Sequence, residues 1–373
     1  MINEQILADY DSHLPALQTL KARLQASLVE LLAQNKLEVH YVSSRVKSRD
    51  SLRYKLSRPD KTYDALWNVT DLLGLRITTY FEDNTEDVAR LIEKYFRVDF
   101  SNSHSNDDKL RFNDHHRFGY RSLHYVCSFS ATDATAPQLP TEFHFEIQIR
   151  TILQHAWAEV EHGLAYKANG LVPDAIRRRF SRIASLLEIA DEEFGSIRRD
   201  LESYEKAVKS TLHDPLKSFP IDGVSLHTIV QSAEVQELDR AIANLLGKEL
   251  SPEIFFPAYL VKMLRLAGLQ TTSELAQALV EYRAGIVDMV APYFEFTNRE
   301  WRLAASNLGL VYRGYSLFFL SHVIILQSAL LEANKISKLA QFYRELDYPD
   351  DESSAQRVAA EIFSALKHLA KPR

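Results

Sequence analysis

Two acidic residues, Asp71 and Glu146, are the side chains of this sequence best placed to do chemistry. Asp71 comes just before the strand-like segment 73–80, and Glu146 lies within the strand-like segment 142–150. An arginine follows each of them, and a basic run covers residues 45–61. Carboxylates on neighbouring strands can hold Mg²⁺, and Arg and Lys side chains bind phosphate oxygens. The pattern predicts chemistry on a nucleoside triphosphate.

The basic run supplies the candidate phosphate ligands. Arg45 and Lys47 fall on one side of a predicted strand end, and Lys55 lies within a helix predicted over 48–56. Arginine offers phosphate a planar fork of donors, whereas lysine offers a compact charge. Taken alone, such a run is more typical of the solvated face of a helix, so its assignment depends on the carboxylates.

Regular alternation makes residues 143–150 the clearest predicted strand. The apolar members are Phe143, Phe145, Ile147 and Ile149, and the polar members are His144, Glu146, Gln148 and Arg150. Successive side chains of a strand point to opposite faces, so the polar members share one face. That face is predicted to line a cleft, because it carries a carboxylate, an amide and a guanidinium together.

A glycine–tyrosine pair precedes the second clear strand, predicted over 122–130. Gly119 allows a turn, and Tyr120 then stands at the start of the strand, where an aromatic ring can stack on a nucleobase. A core tyrosine beside a hairpin is the alternative interpretation.

The helix predicted over 152–166 contains several His and Glu residues. Its spacing is not that of a zinc-protease helix, and no cysteine nearby supports zinc. His155 and Glu159 are one turn apart and suited to pair with each other. We interpret this helix as structural support for the preceding strand.

The composition of the whole chain limits the classes of function. A length of 373 residues with 46% hydrophobic residues predicts two folded domains. The net charge of −6 argues against bulk attraction to nucleic acid or membrane, so a polyanion must bind a local basic patch. A single cysteine, Cys127, fits a reducing compartment. No secretory signal or membrane-spanning run is evident, which predicts a cytoplasmic protein with no membrane partner.

Hydrophobic periodicity predicts an α+β domain followed by an all-helical one. An amphipathic helix opens the chain, and residues 1–215 form the first domain, with its core at 39–167 and a long helix at 174–208. A linker is predicted at 213–223. The second domain covers 224–373, where only helical patterns recur and no strand of useful length is expected.

The long helix carries an apolar residue at every third or fourth position from 176 to 204, as in a coiled coil. Such a seam packs either on the rest of the chain or on a second copy in an oligomer.

The motifs, taken together and in order, resemble the synthetase domain of the RelA/SpoT family of alarmone synthetases over residues 39–167. They are RVKxxxSxxxK, DxxGxR, GYRSLH and ExQIRTxxQHAWAExEH. The resemblance implies a mixed β-sheet flanked by helices, similar to nucleotidyltransferases. It also implies Mg²⁺-dependent transfer of pyrophosphate from ATP to a ribose 3′-hydroxyl, with release of AMP.

The resemblance also implies roles for individual residues. ATP binding falls to Arg45, Lys47, Lys55 and Arg76. Asp71 and Glu146 are implied to be the catalytic carboxylates and Mg²⁺ ligands, and Glu146 is implied to activate the acceptor hydroxyl. Acceptor binding falls to Tyr120, His124, Gln148, Lys109 and His116.

The segment before Tyr120 departs from the family pattern. Family members that use nucleotides typically carry Lys, Pro and Asn there, which help to hold the acceptor's 5′-phosphates. Here His116 stands at the Lys position and Phe118 at the Asn position. The acceptor therefore stays open between a guanosine nucleotide, GDP or GTP, and the 3′-terminal adenosine of tRNA, which toxic small members of the family modify.

Some toxic members carry an inhibitory antitoxin partner, in certain cases fused at the C-terminus and released by a phage protein. Residues 224–373 are expected to be either such an autoinhibitory module, relieved by a protein trigger, or an oligomerising or stabilising extension. A catalytically silent nucleotide or RNA sensor, signalling through its helical half, is the alternative from another class of function.

Overall fold

The computed structural model describes most of the chain. The described residues are 2–59, 61–103, 122–128, 143–167, 173–211, 217–302, 306, 308–345 and 352–370. They fall into two compact units, Met1–Arg199 and Asp200–Arg373. The boundary between the units lies inside one continuous helix, Asp174–Thr211.

The first unit is an α+β structure. In chain order its elements are α1 (Ile2–Gln34), β1 (Tyr41–Val46), α2 (Arg49–Leu56), β2 (Leu73–Thr79), α3 (Glu82–Tyr95), β3 (Arg97–Val98), β4 (Leu123–Ser128), β5 (His144–Thr151), α4 (Ile152–Lys167) and α5 (Asp174–Thr211). The strands form one five-stranded sheet in the order β1-β2-β5-β4-β3. Only β2 and β5 are parallel neighbours; the other pairs are antiparallel. The predicted α+β class, with a mixed sheet and helices, is confirmed for this unit.

One face of this sheet packs into the core. The apolar side chains of β5 (Phe145, Ile147 and Ile149) are fully buried. The predicted opening helix is confirmed as α1, whose leucines from Leu17 to Leu32 recur at helical spacing and are buried in the same cluster. Because the apolar residues of each strand are used on this face, the polar alternates are left on the other face.

The long helix α5 contacts the rest of its unit through a face other than the predicted seam. Ile183 and Phe194, two seam residues, are each about half exposed, whereas Ala184 and Asp191 are buried. Thr151 at the end of β5 donates a hydrogen bond to Asp191. A polar contact therefore helps to hold this helix, and the seam is not its main packed face within the first unit.

Cys127 lies in β4 with its side chain fully buried. Burial in these apolar surroundings raises the pKa of its thiol to about 12.

The second unit is mainly helical. Its elements are α6 (Gly223–Val230), α7 (Ala233–Leu246), β6 (Glu249–Ile254), α8 (Pro257–Leu266), α9 (Thr272–Glu281), α10 (Arg283–Trp301), β7 (Leu310–Arg313), α11 (Tyr315–Gln327), α12 (Glu332–Glu345) and α13 (Glu352–Ala365). The expectation of no useful strand here was wrong, because β6 and β7 pair in parallel. β7 thus stands where only a helical pattern was expected.

A buried carboxylate fixes the turn from β7 into α11. Asp239 of α7 accepts hydrogen bonds from the backbone N–H groups of Gly314 at 2.6 Å and Ser316 at 2.9 Å. Gly314 has φ 82°, and a Cβ there would lie 3.1 Å from Leu260, so both the conformation and the space require glycine. Burial raises the pKa of the Asp239 carboxyl, and the two backbone hydrogen bonds at the helix N-terminus oppose that rise only in part.

No helix in the described part of the chain is both long enough and apolar enough to cross a lipid bilayer.

Candidate active site

The polar face of the first unit's sheet brings together residues from four separate segments. Across β1, β2, β5 and β4, one row of paired residues is Arg45, Gly74, Glu146 and Val126. The next row is Ser43, Arg76, Gln148 and His124. Directly paired residues of neighbouring strands share a face. The sheet register therefore places two of the predicted ATP ligands, Arg45 and Arg76, on the same face as the predicted catalytic glutamate.

The Arg45 side chain lies next to Gly74. A Cβ at Gly74 would lie 3.9 Å from both Cγ and Nε of Arg45, which means that the arginine lies across the β2 backbone. The Arg45 side chain therefore lies over β2, the strand that separates Arg45 from Glu146 in this row.

Asp71 pairs with two lysines. Its Oδ2 lies 3.0 Å from Nζ of Lys47, and its Oδ1 lies 2.8 Å from Nζ of Lys55. The backbone N–H of Lys47 donates to Leu72, and Ser48 caps the helix that carries Lys55, so both lysines have defined positions. Burial raises the pKa of the Asp71 carboxyl, but the hydrogen bonds and charges of the lysines outweigh it and hold the pKa below its usual value.

Glu146 is held by its neighbours on the same face. Nδ1 of His124 lies 2.8 Å from Oε1, and the amide of Gln148 donates to Oε2 at 3.1 Å. Burial raises the pKa of this carboxyl. His124 and Gln148 lower it by more than burial raises it, so the pKa lies below its usual value. The charge of Asp71 opposes this effect, which places the two carboxylates within electrostatic range of each other. Both are therefore ionised at neutral pH.

Arg150 is a buried cation on this face, only 6% exposed. Its Nη2 donates to Gln148 at 2.5 Å. Burial lowers the pKa of its guanidinium to about 10, and the nearby charges of Arg76 and Arg45 act in the same direction. Three arginines thus concentrate positive charge beside Glu146, an environment that favours a phosphate anion.

The sequence interpretation of α4 as support alone misses one contact. Oε1 of Glu159 lies 2.7 Å from Nη1 of Arg76. The predicted pairing of Glu159 with His155 is also present, with Nδ1 of His155 3.7 Å from the same oxygen. His155 and Glu159 both lie in the motif that follows Arg150, and this was the one hint in the sequence that they belong to the site. Only the tertiary structure shows which strand they face.

Three of the predicted acceptor residues, Tyr120, Lys109 and His116, lie outside the described residues.

The carboxylates of Asp71 and Glu146 suit Mg²⁺ that arrives bound to a nucleotide better than they suit a metal ion bound by protein side chains alone. Within the described residues, no three side chains of His, Cys, Asp or Glu converge on one point. Asp71 and Glu146 are ionised hard oxygen donors on one site. Mg²⁺ in phosphate-transfer sites is typically bound by one or two carboxylates together with substrate phosphates. These two carboxylates are therefore the residues that would hold it.

Similar proteins cover the same part of the chain. Residues 44–171 match the family model described as the region found in RelA / SpoT proteins. The "GTP pyrophosphokinase YjbM" of Bacillus subtilis is 29% identical over 169 residues, which are 45% of this chain and 76% of that protein. The "GTP pyrophosphokinase YwaC" of the same organism is 26% identical over 169 residues, or 44% of this chain and 76% of that protein.

Among solved structures, a GTP pyrophosphokinase family protein from Streptococcus pneumoniae is 31% identical, with a TM-score of 0.42. The match covers 53% of this chain and 94% of that protein. Residues 44–171 of the first unit therefore contain the region that the RelA/SpoT family model describes, and the same part of the chain is similar to two Bacillus pyrophosphokinases.

Proposed function

We propose that the first unit is an ATP pyrophosphokinase that moves the β,γ-pyrophosphate of ATP to the ribose 3′-hydroxyl of GDP or GTP. The observation that carries this proposal is that Arg45, Arg76 and Glu146 share one face of the sheet. Asp71, paired with two lysines, lies close enough for its charge to act on Glu146. The names of the two Bacillus relatives support a guanosine nucleotide as acceptor.

The cations of the site bind the donor in this proposal. Arg45 and Arg76 offer planar guanidinium groups to the nucleotide, and Lys47 and Lys55 provide charge for its phosphates. Since both lysines pair with Asp71, the carboxylate also fixes where these charges lie. Mg²⁺, when held by Asp71 and Glu146, offsets the charge of the phosphate oxygens.

Glu146 is the base of the proposed reaction. It is ionised at neutral pH, so it can accept the proton of the 3′-hydroxyl. The new bond forms between the 3′-oxygen and the β-phosphorus, and the bond from that phosphorus to the oxygen bridging to the α-phosphate breaks. AMP leaves with that oxygen. Charge that builds up on the transferred group is offset by the arginines and lysines, and positioning supplies much of the rate.

A labelled-donor assay tests the proposal. The full-length protein is incubated with Mg²⁺ and ATP labelled on its β- and γ-phosphates, in separate reactions with GDP, GTP or deacylated tRNA. Label in ppGpp or pppGpp is the expected result. Absence of label from every acceptor would refute the enzyme and favour a silent sensor.

A tRNA acceptor is the second candidate, because His116 and Phe118 replace residues that typically hold the acceptor's 5′-phosphates. Label on the 3′-terminal adenosine of tRNA, with none on either guanosine nucleotide, would establish it. In that case residues 224–373 would become the candidate inhibitory module. Activity that rises when a protein trigger is added would support that role.

A further inference from the structure

Arg76 and Arg150 form a pair of like charges on neighbouring strands. Arg76 is paired with Gln148 across the β2–β5 ladder, and Gln148 accepts a hydrogen bond from Arg150. The charge of Arg76 disfavours the protonated form of Arg150, which is already disfavoured by burial. Without an anion nearby, the two guanidinium groups would repel each other, and the two arginine side chains would move apart.

Glu159 is the carboxylate that faces this pair. It contacts Nη1 of Arg76 at 2.7 Å, and its charge favours the charged form of Arg150. Glu159 is 56% exposed, whereas Arg76 is 23% exposed, so the arginine is the more enclosed partner. An exposed ion pair contributes little to stability. The main effect of this contact is therefore on the orientation of the Arg76 guanidinium.

The start of α4 gives Glu159 a defined position. The backbone N–H of Gln154 donates to Oγ1 of Thr151 at 3.1 Å, and Oε1 of Gln154 accepts from the backbone N–H of Thr151 at 3.0 Å. Thr151 in turn donates to Asp191 at 2.5 Å, and all three residues are buried. This closed set of hydrogen bonds joins α4 rigidly to the end of β5, and Glu159 stands two turns farther along the helix.

We propose that Glu159 is a positioning residue of the donor site, whose carboxylate holds the Arg76 guanidinium in the orientation that binds ATP. The inference rests on the proposed function and assigns a role to a residue of α4 that touches no reacting atom. Glu159 contacts a single nitrogen, and a guanidinium has five N–H donors and two planar faces. The remaining donors and faces can serve a phosphate or a base, while the anchored nitrogen prevents rotation.

Equilibrium binding tests this role without turnover. A non-hydrolysable ATP analogue is titrated into the full-length protein and its Glu159→Gln variant by calorimetry, with Mg²⁺ present. We expect the variant to bind the analogue about tenfold more weakly, as for loss of one charge-assisted hydrogen bond. The control is Glu188→Gln, the same change at an exposed residue of α5, which should bind like wild type.

A double variant separates positioning from a general loss of charge. If Glu159 acts through Arg76, then Arg76→Ala/Glu159→Gln should bind no more weakly than Arg76→Ala alone. Additive losses would overturn the inference. So would unchanged or tighter binding by Glu159→Gln, and tighter binding would show that Glu159 competes with the phosphates for Arg76.

Kinetics distinguish this inference from the proposed function. In Glu159→Gln we expect KM for ATP to rise about tenfold, while kcat and KM for the guanosine nucleotide stay within about threefold of wild type. If wild type transfers no pyrophosphate and binds no analogue, both the proposed function and this inference are refuted. If wild type is active and the variant keeps a normal KM for ATP, only the inference falls.

Discussion

His124 donates a hydrogen bond from Nδ1 to Oε1 of Glu146, at 2.8 Å across the β4–β5 pair. The carboxylate can only accept, so the proton lies on Nδ1 when the ring is neutral. Nε2 is then the acceptor for the Ser122 hydroxyl at 2.5 Å. A serine, a histidine and a glutamate thus form one chain of hydrogen bonds that ends at the proposed base.

Replacing His124 should shift the pH dependence of transfer. Burial raises the pKa of Glu146 and His124 lowers it, so His124→Ala leaves the burial effect less opposed. The pKa of Glu146 rises in the variant, and a base that must be ionised then needs a higher pH. We expect the acidic limb of the kcat profile to move to higher pH. An acidic limb in its wild-type position would exclude Glu146 as the titrating base.

Asp71→Asn should abolish transfer while leaving the first unit folded. The change removes a proposed Mg²⁺ ligand and leaves Lys47 and Lys55 without their shared carboxylate. We expect kcat to fall by about a thousandfold or more, as when a charge-stabilising group is lost. Steady-state rates and a thermal melt measure the two effects. Asp50→Asn is the matched control, because Asp50 is 91% exposed and pairs with Arg53 of its own helix.

Asp191→Leu should destabilise the first unit. Asp191 is 3% exposed, and its hydrogen-bond donor Thr151 is fully buried, so the leucine leaves a buried hydroxyl without this acceptor. We expect a loss of about 2 kcal/mol in the free energy of unfolding, measured by urea denaturation. Asp191→Asn keeps an oxygen acceptor and should lose less. Equal stability of the leucine variant and wild type would contradict the structural role of this contact.

The stability of the second unit should fall as the pH is lowered from 6.5 to 4. His322 is fully buried, and burial lowers its pKa from 6.5 to about 4. Between these values the unfolded chain binds a proton at His322 that the folded chain excludes. The contribution of the neutral, buried His322 to stability is therefore complete above pH 6.5. The effect is lost progressively toward pH 4, by about 3 kcal/mol in total.

Burial keeps the added proton out of the folded state, and both ring nitrogens of His322 are already hydrogen-bonded there. Nδ1 of His322 donates to the Phe318 carbonyl at 2.9 Å, which leaves Nε2 to accept from the Tyr343 hydroxyl at 3.2 Å. Urea denaturation across this pH range is measured for wild type and for His322→Gln. The difference between the two separates the effect of His322 from that of carboxylates that titrate in the same pH range. Parallel curves for wild type and variant would show that His322 does not titrate in this way.

Sequence periodicity was sufficient for much of the first unit. The stripe of α1 and the alternation of β5 are local patterns, and both elements form where they were predicted. The carboxylates and cations could be assigned to one site through the family motifs, and the sheet register shows how they meet. The catalytic and binding roles of these residues stay predictions.

Features that depend on distant parts of the chain were not predictable. Glu159 meets Arg76 across 83 positions of sequence, a contact that no local pattern reveals. In the second unit, β7 is only four residues long and forms a strand because β6, about 60 residues earlier, provides its pairing partner. A window of sequence around β7 alone fits the end of a helix equally well.

The burial of Cys127 has a practical consequence for spectroscopy. The thiolate is the reactive form of cysteine, and a pKa of about 12 leaves almost none of it at neutral pH. Cys127 is the sole cysteine of the chain, so the native sequence already serves as a nearly inert background for thiol-directed labels. A fluorophore or spin label attached to a newly introduced surface cysteine would report from that one position, with no need to alter β4.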